Sequence, residues 1–582
     1  MALSLHAPMF SQLKRLSRQD CEGAPRYRLA LLGDCATQHL ATALKGYARY
    51  TNLNLDVFDA DYNQLDAQIM DQDSELYAFD ADAVLLYMCA EKLQQAFYDT
   101  PAAGRSEFAD QMFEKILAYW QTLCAKSRAV VLQFNFVSID DGSFGSYALK
   151  TVDSFPFQLR KLNLRLAEGC QEHKNVFLID LDSMQSRYGR RNTFEDKLFY
   201  IAKMPLSLEI LPEAAKHVLD VIHALRGRVK KCVILDLDNT LWGGVVGDDG
   251  LNGIQIGELG GGPAFAQLQH WLKVLRERGI LLAVCSKNNE DTAKEPFLHH
   301  PEMVLHLEDI SMFVANWEDK ASNIRHIQQT LNIGMESMVF LDDNPFERNL
   351  VRSMIPELTV PELPEDPALY TSYLQDLNLF ETTSYSQDDA KRTRQYQEEA
   401  ERTMLQASYE SYDDYLAGLE MTATAKPFDA FHYPRIAQLT QRSNQFNLRT
   451  IRYTEGQIET LAASNNHITR YYTLRDKFGD YGLISVVVMD KQPGNTLFIS
   501  EWLMSCRVLK RGMEEFIIND LISAAKENGY TCVVGEYIKT SKNAMVANIY
   551  ERMGFRREGN QFTVDTADFV PNKTYIKEEQ EL

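Results

Sequence analysis

The sequence predicts an α/β protein built from several domains, and three observations support this. Its 582 residues exceed what a single hydrophobic core usually serves. Two successive stretches alternate short apolar segments with longer amphipathic ones, the pattern of parallel sheets covered by helices on both faces. A third stretch places strand-like segments before a helix, which predicts a smaller mixed α/β domain.

The first module is expected to span residues 1–226. Its apolar segments are short and are separated by helical patterns, so we expect a parallel sheet. The expected strands are Tyr27–Leu32, Ala83–Tyr87, Ala129–Phe136 and Val176–Asp180, and the clearest expected helix is Phe108–Ala125.

The second module is expected to span residues 227–364 and to end where prolines cluster, at Pro356, Pro361, Pro364 and Pro367. Residues 365–420 are expected to link the domains, and their charge-rich part, Ser386–Tyr415, predicts a solvated helix. The third module takes residues 421–582, a usual domain size. Its expected elements are the strands Tyr481–Met489 and Thr496–Ser500 and the helix Met513–Asn528.

Charge and cysteine usage exclude several functions. A net charge of −21 argues against an extended nucleic-acid-binding face, which needs clustered basic residues. The nine cysteines form neither a CxxC pair nor a zinc-spaced cluster, so no disulfide framework or structural metal site is expected. No apolar run reaches the roughly 18–20 residues that span a bilayer. We expect a cytoplasmic protein, without nucleic-acid partners and without membrane insertion.

The second module carries the strongest chemical signal. Val233–Leu235 is an apolar strand that runs directly into Asp236, Leu237 and Asp238. Ligands of open α/β sheets bind at the carboxyl ends of strands, and two acids placed there repel each other unless a cation lies between them. Mg²⁺ is expected, because it takes oxygen ligands and keeps positions open for phosphate oxygens.

Three later segments provide further polar groups in comparable positions. The strand Leu281–Val284 ends at Cys285-Ser286-Lys287-Asn288, Lys320 follows Asn316–Asp319, and the strand Met338–Leu341 ends at Asp342 and Asp343. Either acidic pair alone is compatible with a surface turn. Four such segments in this order, following buried strands, instead indicate one site that collects these polar groups.

These segments match, in order and kind, the four motifs of the haloacid-dehalogenase (HAD) superfamily, which the module therefore resembles. The resemblance implies that Asp236 attacks phosphorus to form an aspartyl-phosphate, and that Asp238 acts as general acid and base. Lys320 would neutralise negative charge beside Asp236. The implied phosphate-binding residues are Thr240, Ser286, Asn288 and Lys320, and the implied metal ligands are Asp236, Asp342, Asp343 and the carbonyl group of Asp238.

The spacing of the motifs leaves no room for a large inserted cap domain. Between Thr240 and Ser286 lie a glycine-rich stretch and one helix, and the segment from Ser286 to Lys320 is also short. We therefore expect an open site, which suits a bulky or protein-borne substrate.

Two segments of the third module resemble the coenzyme-A loop and the tyrosine segment of the GNAT acyltransferases. They are Cys506–Glu514, where basic residues precede a helix N-terminus, and Asn548–Phe555. The implied CoA or phosphopantetheine site comprises Arg507, Arg511, Gly512 and Tyr550. Lys510 stands where that family has a glycine, and Tyr550 is either a general acid or a buried packing residue.

The first module resembles the SGNH hydrolases in Leu32-Gly33-Asp34-Cys35, directly after its first strand. Cys35 stands where those enzymes have a nucleophilic serine, and Asn135 matches a remnant oxyanion donor. No Asp-x-x-His segment precedes the last helix of the module, so the thiol has no evident base. We expect a degenerate module with a structural or binding role.

All three modules in this order, together with Asp236–Gly247, Asn316–Lys320 and Ser443–Leu448, resemble the FkbH-like family. The resemblance implies a phosphorylated donor, 1,3-bisphosphoglycerate, and an acyl carrier protein that receives the glyceryl group as a thioester. It places the chain in a polyketide or surface-polysaccharide pathway. It further implies that Cys285 holds the glyceryl group before transfer, with Lys287 and the metal favouring the thiolate; a small buried strand residue is the alternative.

Two other functions stay open at this stage. One is a plain phosphatase of a sugar phosphate or a similar metabolite. The other is a GNAT-type acyltransferase or assembly protein whose phosphatase module mainly positions a partner.

Overall fold

The computed structural model of the chain describes residues 7–21, 23–385, 409, 411–540, 542–559 and 561–579. The chain divides into two compact units, residues 4–222 and residues 223–582. The second and third predicted modules therefore lie within one unit, and the domain boundaries stay predictions. The helix expected over Ser386–Tyr415 lies mostly outside the described residues.

The first unit is built on a parallel sheet. Its strands are β1 (Arg26–Gly33), β2 (Asn54–Asp59), β3 (Ala83–Tyr87), β4 (Val130–Phe134) and β5 (Val176–Ile179). They lie in the order β2-β1-β3-β4-β5, which confirms the predicted α/β fold. The expected strands all form, and β2 was not among them because this edge strand is mostly half-buried and lacks a continuous apolar run.

The helices described with this sheet are α1 (Phe10–Leu16), α2 (Gln38–Tyr50), α3 (Leu65–Met70), α4 (Glu75–Phe79), α5 (Ala90–Asp99), α6 (Phe108–Lys126), α7 (Phe155–Glu172), α8 (Leu181–Tyr188), α9 (Arg190–Thr193), α10 (Asp196–Ala202) and α11 (Leu211–Leu225).

The second unit begins with another parallel sheet. Its strands are β6 (Cys232–Leu235), β7 (Leu281–Ser286), β8 (Ile310–Ala315) and β9 (Met338–Leu341), in the order β8-β7-β6-β9. The accompanying helices are α12 (Val246–Asp249), α13 (Gly262–Glu277), α14 (Glu290–His299), α15 (Lys320–Leu331), α16 (Pro345–Met354) and α17 (Tyr370–Asp376). The three strands expected here form as predicted, and β8 adds a fourth.

The register of this sheet gathers the chemical residues at one edge. Leu235, the last residue of β6, pairs with Val284 on one side and with Leu341 on the other. Because the strands are parallel, the residues that follow β6 and β9 emerge side by side. Every residue of β6 and β9 is buried, so this edge rests on a rigid core.

The C-terminal sheet is mixed. Its strands are β10 (Thr422–Lys426), β11 (Phe446–Asn447), β12 (His467–Arg475), β13 (Asp480–Gln492), β14 (Thr496–Met504), β15 (Cys532–Glu536), β16 (Arg556–Glu558), β17 (Gln561–Asp565) and β18 (Lys577–Glu578). The helices beside them are α18 (Tyr412–Gly418), α19 (Tyr433–Arg442), α20 (Glu455–Ala463), α21 (Met513–Glu527) and α22 (Ile549–Arg552).

The pairing of β14 changes along its length. Thr496–Ile499 pairs in parallel with β15, and Leu503 and Met504 pair on the same side with the short strand β11. The sheet runs in the order β16-β17-β15-β14-β13-β12-β10-β18. Across the described residues of the chain, helices long and apolar enough to cross a membrane are absent.

Candidate active site

Lys320 bridges two carboxylates at the edge where β6 and β9 end. Its Nζ atom lies 2.7 Å from Oδ2 of Asp236 and 2.6 Å from Oδ2 of Asp342. The lysine is the first residue of α15, which Asp319 caps by accepting a hydrogen bond from the Ser322 backbone. Burial disfavours the lysine charge, but Asp236 and Asp342 raise its pKa above the ordinary value. Lys320 is therefore a fixed cation inside the site, as the sequence predicts.

Asp236, Asp342 and Asp343 offer ligand atoms that all lie within 4.8 Å of one another. Burial, and then repulsion from Asp236, raises the pKa of Asp342 to about 6 and raises that of Asp343 as well. With all three carboxylates ionised, one lysine leaves the cluster with a net charge of minus two. An all-oxygen, doubly negative donor set fits a divalent cation such as Mg²⁺.

Other side chains fix the two acids that follow β9. The hydroxyl group of Thr240 donates to Oδ1 of Asp343 at 3.3 Å and accepts from the Asp343 backbone at 3.1 Å. Arg348, almost fully buried, donates to the carbonyl groups of Asp342 and Asp343 at 2.8 and 2.6 Å. The backbone of Asn344 donates to Oδ1 of Asp342 at 2.8 Å.

The positions of Thr240 and Arg348 change what the sequence predicted about this site. Thr240, proposed as a phosphate ligand, is fully buried and directs its hydroxyl group to Asp343. It therefore positions a metal-site carboxylate. Arg348 was missed, because no short motif marks an arginine that donates to two backbone carbonyl groups and pairs with the distant Glu362.

Asp238 is held apart from the acidic cluster. Its Oδ1 atom accepts from the Trp242 indole at 2.9 Å and from the Val246 backbone at 3.0 Å, and its Oδ2 atom accepts from Asn288 at 3.2 Å. Burial raises the pKa of Asp238 above its ordinary value. A carboxyl group that is held in place and more readily protonated suits a general acid. Asn288, proposed as a phosphate ligand, here supports Asp238.

Ser286 is the last residue of β7 and is buried beside the end of β6. Its neighbour Lys287 turns away and forms an ion pair with Glu347 at 2.6 Å. The phosphate-binding role of Ser286 stays a prediction.

The structure contradicts an activated thiol at Cys285. This side chain is fully buried in a core with Ile234, Ala283 and Ile324, and its sulfur lies 3.8 Å from the Lys320 carbonyl oxygen. Burial raises the pKa of the thiol far above its ordinary value. Because side chains alternate along a strand, Cys285 faces this core when Ser286 faces the other side.

Three of the residues predicted for a CoA or phosphopantetheine site, Arg507, Arg511 and Gly512, lie in the segment before α21. Arg511 is buried, lies over the Tyr481 ring at 5.2 Å and is 3.8 Å from Asp476. Its guanidinium group therefore interacts with residues inside the domain. Gly512 caps α21 with φ +78°, and Lys510 also has a positive φ of 64°. Arg507 donates to the Ser505 hydroxyl at 3.3 Å. The ligand-binding role of these residues stays a prediction.

Tyr550 is a packing residue. It is 1% exposed and its ring stacks on Phe562 and contacts Trp502 and Phe555. Gly535 makes room for it, because a Cβ atom there would lie 2.3 Å from the ring. Burial raises the pKa of the Tyr550 hydroxyl, which disfavours the phenolate. Among the described residues, no hydrogen-bond partner of this hydroxyl group is seen.

In the first unit, the residues that resemble an SGNH site lie at the carboxyl ends of β1, β3 and β4. Cys35 and Cys89 are buried next to Asp34, whose Oδ1 atom accepts from the Cys89 backbone at 2.9 Å. Burial raises the pKa of the Cys35 thiol, so the thiolate is disfavoured. Asn135 donates to Asp180 and accepts from the Asp182 backbone, so it ties loops together where an oxyanion donor was expected.

Comparisons with known proteins agree with this architecture. A sequence profile of the FkbH N-terminal domain matches residues 28–223. A crystal structure of the N-terminal part of BF1531 from Bacteroides fragilis, which contains a phosphatase domain and is complexed with Mg, is 49% identical. It superposes with a TM-score of 0.63 and covers 65% of this chain and 100% of that chain.

Two acetyltransferase structures match about a quarter of the chain. The ribosomal-protein-S18-alanine N-acetyltransferase of Escherichia coli is 11% identical over 25% of this chain and 94% of its own, with a TM-score of 0.21. The spermidine N-acetyltransferase of Vibrio cholerae is 13% identical over 25% of this chain and 96% of its own, also with a TM-score of 0.21. No curated protein matches the chain.

Proposed function

The chain belongs to the FkbH family, and from this premise we propose that its second unit carries a Mg²⁺-dependent phosphatase with Asp236 as the nucleophile. The observation that carries the proposal is the cluster of Asp236, Asp342 and Asp343 around Lys320 at the carboxyl edge of the sheet. A divalent cation and a phosphoryl group both fit a site with this charge and position.

The chain's own residues account for each bond change. An Asp236 oxygen attacks phosphorus, and the bond from phosphorus to the leaving oxygen breaks. Asp238 gives its proton to that oxygen, and then takes a proton from the water that hydrolyses the aspartyl-phosphate. Lys320 forms an ion pair with Asp236 and holds it at the edge of the sheet. Mg²⁺ held by Asp236, Asp342 and Asp343 would supply positive charge to the phosphoryl oxygens.

The finer proposal is that the phosphatase step serves acyl transfer. The substrate class is a phosphorylated three-carbon acyl phosphate, 1,3-bisphosphoglycerate, and the acceptor is the phosphopantetheine thiol of an acyl carrier protein. Hydrolysis removes the ester phosphate, and the carrier thiol displaces the acyl phosphate to form a thioester. The pathway would be polyketide or surface-polysaccharide biosynthesis, the two settings that the family resemblance suggests.

The open edge of the site supports a protein-borne acceptor. Between Thr240 and the start of α13 at Gly262, all residues are described and the one helix is α12, four residues long. No cap domain stands there to exclude a carrier arm. Because Cys285 is buried in the core, we propose direct transfer to the carrier thiol without a glyceryl-enzyme adduct.

Intact mass spectrometry tests this proposal. The full chain is mixed with Mg²⁺ and freshly generated 1,3-bisphosphoglycerate, with and without a phosphopantetheinylated carrier, while released phosphate is measured. We expect phosphate release, glyceryl on the carrier and no stable adduct on this chain. Asp236→Asn should abolish release of the ester phosphate, and Cys285→Ala should load the carrier at the parent rate per folded molecule.

The alternatives give other outcomes. Phosphate release with no modified carrier would indicate a plain phosphatase of another metabolite. The cluster of Asp236, Asp342, Asp343 and Lys320 is compatible with that activity as well. Glyceryl trapped on Cys285 in the parent would overturn direct transfer. Carrier loading that survives Asp236→Asn would favour a GNAT-type acyltransferase or assembly role for the C-terminal domain.

A further inference from the structure

Two cysteines and an aspartate meet in the first unit, at the carboxyl edge of its sheet. The parallel strands β1 and β3 pair Gly33 with Tyr87, so the residues two positions further on, Cys35 and Cys89, leave the sheet at the same level. Asp34 precedes Cys35 and joins the same group. The pairing of two distant strands therefore builds a cluster that the spacing of cysteines along the sequence does not reveal.

The three side chains offer one donor atom each, and these atoms all lie within 4.8 Å of one another. Cys35 is 1% exposed and Cys89 is 2% exposed, so both sulfur atoms lie inside the protein. In the part of the chain that the structure describes, this group and the acid cluster of the second unit are the two that bring three His, Cys, Asp or Glu donors together. Two of the donors here are sulfur atoms, whereas the acid cluster is all oxygen, so the two groups suit different cations.

Backbone contacts fix the two loops that carry this cluster. The Asp34 backbone donates to the Tyr87 carbonyl oxygen at 3.2 Å, and Oδ1 of Asp34 accepts from the Cys89 backbone at 2.9 Å. Gly33 permits this approach, because a Cβ atom there would lie 2.5 Å from the Thr37 side chain and 3.4 Å from the Tyr87 carbonyl oxygen. The donor atoms are therefore in place before an ion binds, which lowers the entropic cost of binding.

A further carboxylate lies next to the cluster. Glu91, whose side chain is 7% exposed, pairs with Arg190 through Oε1 at 3.2 Å, whereas its Oε2 atom is buried and has no hydrogen-bond partner. The negative charge of Glu91 acts on both Asp34 and Cys35. Glu91 and Cys89 also line a cavity of about 10 Å³, which is about the space that one water molecule needs. The surroundings therefore attract a cation and have room for one small ligand.

We propose that Asp34, Cys35 and Cys89 bind a zinc ion, with a water molecule in the adjacent cavity as its fourth ligand. Zinc takes four ligands in most protein sites and accepts both thiolate sulfur and carboxylate oxygen. Magnesium takes oxygen ligands, so the two metals separate between the two clusters of the chain. When zinc binds, each thiol group loses its proton to solvent and its sulfur forms a bond to the metal.

A disulfide between Cys35 and Cys89 is the competing use of this pair. Disulfide formation begins with a thiolate, and the neighbouring carboxylates of Asp34 and Glu91 repel that negative charge. A divalent cation is attracted by the same carboxylates and stabilises the thiolates that it binds. The surroundings of the two cysteines therefore favour the metal.

The absorption of bound cobalt tests the site in the full chain. The protein is purified under reducing conditions, freed of metal with a chelator and titrated with Co²⁺ in excess Mg²⁺, which fills the acid cluster after β6 and β9. A bond between cobalt and a thiolate gives charge-transfer absorption in the near ultraviolet, which oxygen ligands do not give. We expect this absorption to saturate at one cobalt ion per chain and to disappear when zinc, which binds such sites more tightly, is added.

Single substitutions locate the ligands. Cys35→Ser and Cys89→Ser should each weaken zinc binding by more than the roughly 10–100-fold that loss of an outer partner of a ligand costs. Cys170→Ser, which changes a half-buried cysteine of α7 in the same unit, is the matched control and should bind like the parent. Scanning calorimetry without metal checks the fold, and Cys35→Ala and Cys89→Ala replace the serine variants if a buried hydroxyl group destabilises them.

The absence of thiolate absorption with Co²⁺ would overturn the proposal. Equal zinc affinities of the Cys35→Ser, Cys89→Ser and Cys170→Ser proteins would overturn it as well. A chain that binds no zinc but loses two thiol groups to a disulfide with hydrogen peroxide, which is reduced to water, would show that the pair is a redox site. None of these results bears on the proposed phosphatase activity, because the acid cluster lies in the other unit.

Discussion

Asp236 and Asp238 are two positions apart and yet have different surroundings. Asp236 faces Lys320 and the acids after β9, and it forms an ion pair with the lysine. Asp238 is held by Trp242 and Val246, where burial raises its pKa. One carboxylate is therefore suited to attack and the other to carry a proton, which is the division of roles that an aspartyl-phosphate mechanism needs.

The acid role of Asp238 can be tested by Asp238→Asn. The amide oxygen still accepts from Trp242 and Val246, whereas the hydrogen bond from Asn288 is lost. Two of the three hydrogen bonds to this side chain therefore remain, but no proton is available. We expect kcat for an alkyl phosphate to fall by about 10²–10⁴-fold. The loss should be smaller for 4-nitrophenyl phosphate, whose leaving group departs without a proton.

Asp248→Asn, an exposed change in α12, is the matched control and should leave kcat near the parent value. Equal losses on the two substrates would show that Asp238 positions other groups and does not protonate the leaving oxygen.

At the scale of single elements, the turn from Lys510 to Gly512 has a lysine in a backbone conformation that usually requires glycine. Lys510 has φ +64° and Gly512 has φ +78°, and the Lys510 carbonyl oxygen accepts a hydrogen bond from the Tyr412 hydroxyl. A left-handed conformation costs a non-glycine residue about 1–2 kcal/mol. The turn is therefore strained at the position where the GNAT resemblance expects glycine.

Two substitutions in this turn should change stability in opposite directions. Lys510→Gly removes the strain of the left-handed conformation but adds the conformational entropy of glycine to the unfolded chain. The net effect should raise the free energy of unfolding by about 0.5–1 kcal/mol. Gly512→Ala introduces the strain and should lower it by about 1 kcal/mol, since nothing but Thr574 and Glu515 lies within 4 Å of the new Cβ atom.

Urea denaturation followed by tryptophan fluorescence measures both changes, because four of the five tryptophans belong to the second unit. A Lys510→Gly protein less stable than the parent would mean that the lysine side chain contributes more than the strained turn costs.

For the whole molecule, the division into two units means that Mg²⁺ binding should raise the thermal stability of one unit only. Only the unit of residues 223–582 contains the acid cluster after β6 and β9. Mg²⁺ at about one hundred times its dissociation constant should stabilise that unit by about 2.7 kcal/mol, and scanning calorimetry should show its transition alone moving upwards.

The metal effect should also depend on pH. The pKa of Asp342 is raised to about 6, so below that pH the proton competes with the cation and the stabilisation shrinks. Asp343→Asn should abolish most of the Mg²⁺ effect, and Asp248→Asn should preserve it. A shift of the first unit's transition by Mg²⁺ would contradict the assignment of the metal to this cluster.

Much of the fold followed from local patterns. Apolar runs such as Ala83–Tyr87 and Met338–Leu341 coincide with strands, because both faces of a parallel sheet are covered and every residue is buried. Asn54–Asp59 was missed, because an edge strand is only partly covered and its sequence resembles that of a surface segment.

The sequence by itself determined which acids meet, because parallel strands deliver the residues after them to one edge: Asp236, Asp342 and Asp343 follow from this rule. Tertiary structure alone decided which way the intervening side chains face. In the structure Thr240 bonds Asp343, and Cys285 packs in the core. Arg511 lies near Asp476, and Arg348 donates to two backbone carbonyl groups. The physical reason is that burial and hydrogen-bond partners come from residues distant in the chain, so a motif specifies a residue's position along a strand but not its surroundings.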